Sequence, residues 1–512
     1  MSNITIEDMA SFCKKKGFIY PNSEVYGGVA GLFDYGPLGV ELKNNIKQHW
    51  WKTFVQDRED IAGIDGTIIT HPKVWEASGH VTSFTDLFVD CKKCKERYRA
   101  DHLVHDVLKV AVDGVSAEDL SKIINENKIK CKKCMGELTE VRKFNLMFKT
   151  NVGPIEGNIS YLRPETAQEM FTNFKLVAEN SRLKLPFGIA QIGRAFRNEI
   201  APRDFLFRTR EFEQMEIEFF VHPKKVNNCH FIKEVENMKV NILSAEMQKK
   251  KAKHEKMKIK EALAKKIIKT QWHAYWLALN YKWFLDLGIK EENLRLREHL
   301  KDELAHYANG CFDIEYNFPF GWKEIQGNAD RTQFDLNQHT KFSNKDLTIF
   351  DEETKEKVIP YVASEPSQGV DRAFLAFIFD AYEYDKSRDN IVLKLSPLLS
   401  PYKVAVFPLV SNKLNITKKA REVFELLRKE FRTFYDDGGS IGRRYSRQDE
   451  IGTVVCCTID FDTLKNKSVT LRHRDTTKQI RVPISKLKDA IQGAIKGKKF
   501  EKLGKIINTR IK

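Results

Sequence analysis

Between Phe187 and Val221 apolar and polar positions alternate, and the pattern predicts two strands joined by a loop that holds Pro202, Arg203 and Asp204. Successive side chains of a strand point to opposite faces. In the second strand Met215, Ile217 and Phe219 therefore share one side, and Arg208, Arg210, Phe212, Gln214, Glu216 and Glu218 share the other. Arg197 and Glu199 share a side near the end of the first strand. One face suits a core. The other, dense in Arg and Glu around an aromatic ring, is set up to hold a ligand. A hairpin with solvated ion pairs is the competing reading, because exposed pairs are common and weak.

Elsewhere the pattern changes period. Residues 1–20 read as a helix running into a break at Tyr20-Pro21. From about Val40 to Val55 a helical stripe of Val40, Leu42, Ile46, Trp50, Trp51 and Phe54 follows a Gly-rich turn. Ala117 to Ile129 is amphipathic, and Arg163-Pro164-Glu165-Thr166-Ala167-Gln168 reads as a helix start, with Pro164 in the first turn. Residues 222–307 read as a helical insertion with lysines crowded between Lys249 and Lys269. Glu324 falls in a strand with Arg331 after it. A β run ends at Glu365-Pro366-Ser367 and leads into a helix, Ala373 to Phe379, that is apolar nearly all round and hence buried. Arg372 sits in the first turn of that helix, where a cation opposes the helix dipole and calls for an anion. From Ser400 strands and helices alternate, as in an α/β domain.

The chain has 512 residues, enough for about three domains. Its formal net charge of +16 favours a polyanionic partner, nucleic acid above all. No run of apolar residues is long enough for a membrane span, and the N-terminus lacks a signal-peptide core, so no membrane partner is expected. Nine cysteines in a chain this long do not read as a disulfide scaffold and point to a reducing, cytoplasmic setting. Two Cys-x-x-Cys pairs, Cys91/Cys94 and Cys131/Cys134, can close a tetrahedral thiolate site for a structural Zn²⁺. Redox cysteines are the alternative. Four thiolates would leave no open position for chemistry.

These stretches resemble the motifs of class II aminoacyl-tRNA synthetases, and of glycyl-tRNA synthetases in particular. Arg197-Asn198-Glu199 and Arg208 to Phe212 are similar to the second class II motif, whose first Arg holds the α-phosphate of ATP and whose Phe stacks on adenine. The chemistry agrees, since a guanidinium binds phosphate oxygens in bidentate fashion. The stretch from Tyr26 to Val55 resembles the first motif, with Pro37 as its proline, and implies a homodimer interface. Arg163 to Gln168 resembles the amino-acid-binding loop, in which Glu165 takes the substrate ammonium. Trp322 to Gly327 and Asp330-Arg331-Thr332 are similar to the family's stretch at the glycine and ATP pocket. Arg372 matches the Arg of the third motif, which binds the γ-phosphate; a salt bridge to a nearby Glu is its other reading. The match departs at one point, because both Ala363 and Ser364 lie between Val362 and Glu365 where one residue is usual. A β-bulge would absorb the extra residue. Ser440 to Gly452 is close to the anticodon-binding domain of glycyl enzymes, although Val454-Val455 replaces the expected Pro-Phe.

The resemblance implies an α+β catalytic domain on an antiparallel sheet, a Lys-rich helical insertion and a C-terminal α/β anticodon-binding domain. The expected division is a core of 1–90 with 140–221 and 308–398, a four-cysteine zinc-binding insertion at 91–139, the insertion at 222–307 and the anticodon domain at 399–512. It implies a homodimeric enzyme that activates glycine with ATP and transfers it to tRNA(Gly). Arg197, Arg372 and Glu324 would be catalytic, with Glu324 holding Mg²⁺ beside ATP. Glu165, Glu216, Glu365 and Ser367 would bind glycine. Asn198, Glu199, Arg208, Thr209, Phe212 and Ile325 would complete the ATP site, Glu199 either accepting from the adenine amine or holding a loop. The lysines between 249 and 269 would touch the tRNA acceptor end or form a solvated face, and Arg443, Arg444 and Arg447 are candidate RNA contacts. Two other readings stand beside this one. The accessory subunit of mitochondrial DNA polymerase, a nucleic-acid binder without aminoacylation, would not need Arg197, Glu199, Arg372, Glu165 and Glu216 together. A class IIa ligase for threonine, proline or histidine would use a different pocket.

Overall fold

The computed structural model describes residues 4–110, 112, 115–154, 157–305 and 307–507. Its centre is a nine-stranded sheet. In chain order the strands are β1 (Ile61–Ile64), β2 (Phe187–Phe196), β3 (Glu211–Val221), β4 (Lys239–Leu243), β5 (Glu255–Lys258), β6 (Leu294–Glu298), β7 (Gly310–Phe318), β8 (Gly321–Asp330) and β9 (Tyr361–Gly369). In space they run β5-β4-β6-β7-β8-β9-β3-β2-β1. All pairs are antiparallel except β4 with β6 and β1 with β2.

The alternation predicted for β3 decides the two faces of the sheet. Met215, Ile217 and Phe219 are fully buried in the main core, against helices α1 (Pro37–Trp51), α3 (Gln271–Asp286) and α5 (Val370–Ala381). On the other face Phe220 packs with Phe171, Phe174 and Phe187 beside α2 (Ala167–Thr172) and α4 (Phe334–Ser343). Those two helices close one end of this face and leave its middle to polar side chains.

Four local expectations are revised. The stripe of α1 is not free for a partner subunit: Leu42, Ile46, Trp50 and Phe54 are buried within the chain, where Phe54 meets Trp276 and Trp283, and only Val40 is exposed. Tertiary packing of one chain consumes the apolar face. The insertion at 222–307 is mixed rather than helical, because it supplies β4, β5 and β6 and extends the sheet. Its long helix, α3, is core, with Trp272, Trp276, Tyr281 and Phe284 buried. The lysines lie on short elements around edge strand β5, and charge on an edge strand also blocks unwanted pairing. Finally, α2 starts at Ala167, one turn later than Pro164 implied. Thr166 makes no cap because its hydroxyl goes to Glu216 instead.

The extra residue before Glu365 is a bulge. Phe219 faces Ser364 while the next residue, Phe220, faces Val362, so Ala363 has no partner of its own. A bulge reverses the alternation beyond it. Val362 accordingly packs with Phe220, and Glu365, three residues on, also reaches the ligand side.

Two smaller units flank the sheet. Residues 85–145 carry a three-stranded sheet and two helices around Leu103, Leu120 and Cys131. From Val404 a six-stranded mixed sheet has its own core, with helix α6 (Leu414–Leu427) on it and helix α7 (Ile441–Glu450) beside it. Val454 and Val455 are both buried there, so their departure from the motif stays inside the fold. No helix among the described residues is long and apolar enough to cross a membrane.

Candidate active site

The polar face of β3 opens into a cavity of about 130 Å³ lined by Arg197, Glu199, Arg208, Thr209, Phe212, Glu324, Ser367 and Arg372, with Phe207 and Gln214. Residues from four separated stretches meet because β3 sits between β2 and β9, with β8 next. Larger hollows lie elsewhere, but they are open clefts with paired surface charges, such as the one between Lys175, Lys184, Asp346 and Glu352. The chemistry is concentrated in the small one.

Each guanidinium is held from behind. Arg197 donates through Nε to the Pro164 carbonyl (3.1 Å) and lies over the Phe212 ring, 5.2 Å from its centroid. Arg208 is 3.8 Å from Glu199. Arg372 donates to the Phe207 carbonyl and to Glu324 Oε2 (2.7 Å), over the Phe207 ring. The anion that Arg372 calls for is therefore Glu324. Burial pushes the Glu324 carboxyl up, but the charge and hydrogen bond of Arg372, with the charges of His299 and Arg197, together leave it below its usual range. Its side chain is still 42 % exposed, at the cavity mouth. Such an oxygen donor fits a divalent cation carried in by phosphates.

Beyond Ser367, whose hydroxyl accepts from Gln214 Nε2 (3.1 Å), strand β9 leads from the cavity wall to a set of buried carboxyls. Glu365 accepts from Arg331 Nη1 (2.6 Å), and Arg331 also forks onto Asp335 through two bonds of 2.8 Å. Glu165 accepts from Gln168 (2.9 Å) and lies 3.3 Å from His80 Nε2. Burial alone would raise the Glu165 carboxyl, but the charges of His80 and then Arg331 hold it well below the usual range. Glu216 accepts from Thr166; burial, then the charge of Glu165, raises its carboxyl. The result is a buried cluster of carboxyls, here called the acid chamber, whose charge suits a cationic group.

The remaining sequence expectations divide. Ile325 is fully buried in the apolar core, on the face opposite its strand neighbour Glu324. Asn198 lies outside the cavity lining, with its backbone N–H on the Leu146 carbonyl. Arg210 shares the parity of Arg208 but precedes the strand proper, and it donates to the Glu199 and Ala30 carbonyls. In the C-terminal unit Arg444 is 1 % exposed and holds the Pro408 and Gly439 carbonyls, so it is a structural residue and not an RNA contact. Arg447 is engaged with Asp436 (2.5 Å), which leaves Arg443 exposed. Sequence reasoning assigned no role to Asp335, His80, Thr166, Gln214 or Glu218. The alternation of β3 placed Gln214 and Glu218 on the ligand face, and Thr166 fell within the Arg163–Gln168 stretch; nothing in the local pattern marks Asp335 or His80.

The four cysteine sulfurs of the small unit come together. Cys91 and Cys134 are 3.5 Å apart, Cys94 and Cys131 3.6 Å, and all four sulfurs lie within 4.8 Å of one another. A Cβ at Gly136 would stand 3.0 Å from Cys91 Sγ, so glycine is what lets the loop close over the cluster. This donor set fits a tetrahedral zinc ion.

Comparison with known proteins supplies independent evidence. Residues 403–494 match the model of the anticodon binding domain family. The chain is 48 % identical to a glycine–tRNA ligase of Clostridium kluyveri, covering 96 % of this chain and 98 % of that one. It is 46 % identical to those of Caldanaerobacter subterraneus subsp. tengcongensis and Geobacillus kaustophilus, at 96 % and 99 % coverage. Among solved structures it is similar to a prolyl-tRNA synthetase from Cryptosporidium parvum complexed with L-proline and AMP, with a TM-score of 0.55 and 14 % identity over 95 % of this chain and 77 % of that one. That likeness establishes the class II synthetase fold.

Proposed function

The chain belongs to the glycine–tRNA ligase family, and from that premise we propose which of its residues carry the reaction. The family activity is ATP-dependent activation of glycine followed by transfer to tRNA(Gly). The cavity between Arg197, Arg208, Phe212 and Arg372 receives ATP, and the chamber beyond Ser367 receives glycine. The observation that carries this is that one strand joins them: Ser367 lines the cavity and, two residues away on β9, Glu365 stands among the buried carboxyls.

In the first step the glycine carboxylate attacks the α-phosphorus of ATP. A P–O bond forms, the bond to the β-phosphate oxygen breaks, and pyrophosphate leaves. No protein nucleophile is needed, so the catalysis is positioning and charge stabilisation. Arg197 meets the charge that builds on the α-phosphate, Arg208 assists, and Phe212 covers the adenine ring. The γ-phosphate takes Arg372 from Glu324. Glu324, freed in the same exchange, would hold the magnesium ion that neutralises the phosphate oxygens. In the second step the terminal ribose hydroxyl of tRNA attacks the carbonyl of glycyl-adenylate, and AMP leaves.

Glycine offers no side chain, so selection rests on its ammonium and on the absence of space. Glu165, Glu216 and Glu365 accept from the ammonium. One methyl more or less in an apolar pocket discriminates by only about 10–200-fold unless sterics forbid it. Here Arg331 and the carboxyls fill that room. The exposed lysines around β5 and Arg443 would meet tRNA phosphates. The cysteine cluster would hold a structural zinc. The homodimer would use the outer face of α1 with Val40 and the exposed loop at Val25 and Tyr26, since the α1 stripe is already covered. A cytoplasmic setting suits the nine unpaired thiols.

Amino-acid-dependent exchange of pyrophosphate into ATP tests the reading. Glycine alone should support exchange, and Arg372→Ala should abolish it while tRNA affinity stays within a few-fold. Exchange with another amino acid, or none, would overturn it.

A further inference from the structure

One glutamate of the acid chamber stands apart. Glu218 is fully buried on β3, on the face of Glu216, and among the described residues neither of its carboxyl oxygens has a hydrogen-bond partner. Carboxyl oxygens of Glu216, Glu218 and Glu365 lie within 4.8 Å of one another. The groups around Glu218 are Glu216 on its own strand, Glu365 on β9, Arg331 at the end of β8 and Asp335 on α4. Tyr307 lies under the Arg331 guanidinium, and Cys311 of β7 lies beyond Glu365. Arg331 is the cation of this set, and its fork is already spent on Asp335 with a third bond to Glu365. Carboxylates this close and this dry cannot all be ionised.

We propose that Glu218 and Glu365 share one proton in the empty chamber and that the glycine ammonium displaces it, which makes Glu218 a positioning residue for the substrate amine. The inference rests on the glycine reading of the chamber. Burial and then the charge of Glu365 hold the Glu218 carboxyl well above its usual range. Burial lifts that of Glu365 to about 8, with Arg331 pulling the other way. The balance is simple. Glycine enters as a zwitterion, its ammonium N–H groups donate to the chamber carboxylates, the carboxylic O–H of the pair breaks, and the proton leaves to solvent. The charge of the chamber is the same before and after. The arrangement also keeps an empty chamber from holding uncompensated anions.

Two consequences can be read directly. Glycine binding releases about one proton, and glycine affinity rises with pH by up to about tenfold per unit below pH 8. Titration calorimetry of the full-length protein with glycine, in two buffers of different ionisation enthalpy at pH 7, gives the proton count. We expect close to one proton released by the wild type and fewer by Glu218→Gln. In that variant Glu365 faces a neutral amide in place of a second carboxyl, so Arg331 holds it ionised against less opposition. A packing role alone would change affinity but not the proton count. Glycine heat with no proton release, or an unchanged count in Glu218→Gln, overturns the inference and leaves the glycine reading standing. No glycine heat and no glycine-dependent exchange overturns both. Should Glu218→Gln fail to fold, the wild-type count and the pH slope of the glycine KM still decide.

Discussion

Arg331 shows how much one side chain can organise. It is 2 % exposed, follows directly on β8, and joins α4 to β9 by holding Asp335 and Glu365 together. A buried pair broken on one side leaves the other charge unpaired, which costs about 3–5 kcal/mol. Arg331→Gln is expected to lose stability on that scale in urea unfolding. The loss should be larger at pH 8 than at pH 5.5, because Glu365, already raised by burial, takes a proton as the pH falls and no longer needs a partner. An equal loss at both pH values would place the effect in packing instead. The residue was visible in the chain, but its partners were not: a lone Arg after a strand has no local feature that names Asp335. Arg444 makes the reverse point. Its setting in an Arg-rich helix suggested RNA, yet its guanidinium is spent on backbone carbonyls inside the domain.

At the scale of the element, β9 carries the proposed glycine side of the site through its bulge. Alternation has a period of two, so one inserted residue exchanges the faces. Ala363 takes up that residue, and Val362 and Glu365 both face the chamber side as a result. Deleting Ala363 would restore regular pairing and turn one of them over. Glycine-dependent exchange should then fall by at least about 100-fold, the scale of a 1 Å misplacement, while Ala363→Gly should stay near wild type. A deletion variant with intact exchange would show that the bulge is incidental. The sequence announced the extra residue; only the pairing with Phe219 and Phe220 located where it is absorbed. Helix α1 is the counterpart, for its stripe was legible as apolar but not as to what covers it.

For the whole molecule, the sheet places the arginine-lined cavity and the cluster of buried carboxyls side by side and hangs the other units on its margins. Arg388, from the hairpin after α5, donates to Asp449 (3.2 Å) and to the carbonyls of Arg474 and Asp475, and so ties the C-terminal domain to the catalytic part. The cysteine unit has its own small core, and a metal clip contributes folding free energy directly to a unit of that size. Purified protein should contain about one zinc per chain. Chelation, or Cys91→Ser with Cys131→Ser, should make residues 91–139 protease-sensitive at a temperature where the central sheet stays folded. Zinc-free protein with the same protease pattern would remove the structural role.

The chain by itself determined the period of β3, the buried helix after Ser367, the thiolate pairs and the α/β character of the C-terminal domain. Each of these is written in neighbouring residues, since strand alternation, helix periodicity and ligand spacing are local properties. The tertiary structure alone decided that Arg372 rests on Glu324, that Arg444 is internal, that 222–307 widens the sheet and that Glu218 stands unpartnered among carboxyls. Those facts depend on which distant surfaces meet when apolar area is buried and charge must be satisfied, and no window of sequence contains both sides of such a contact.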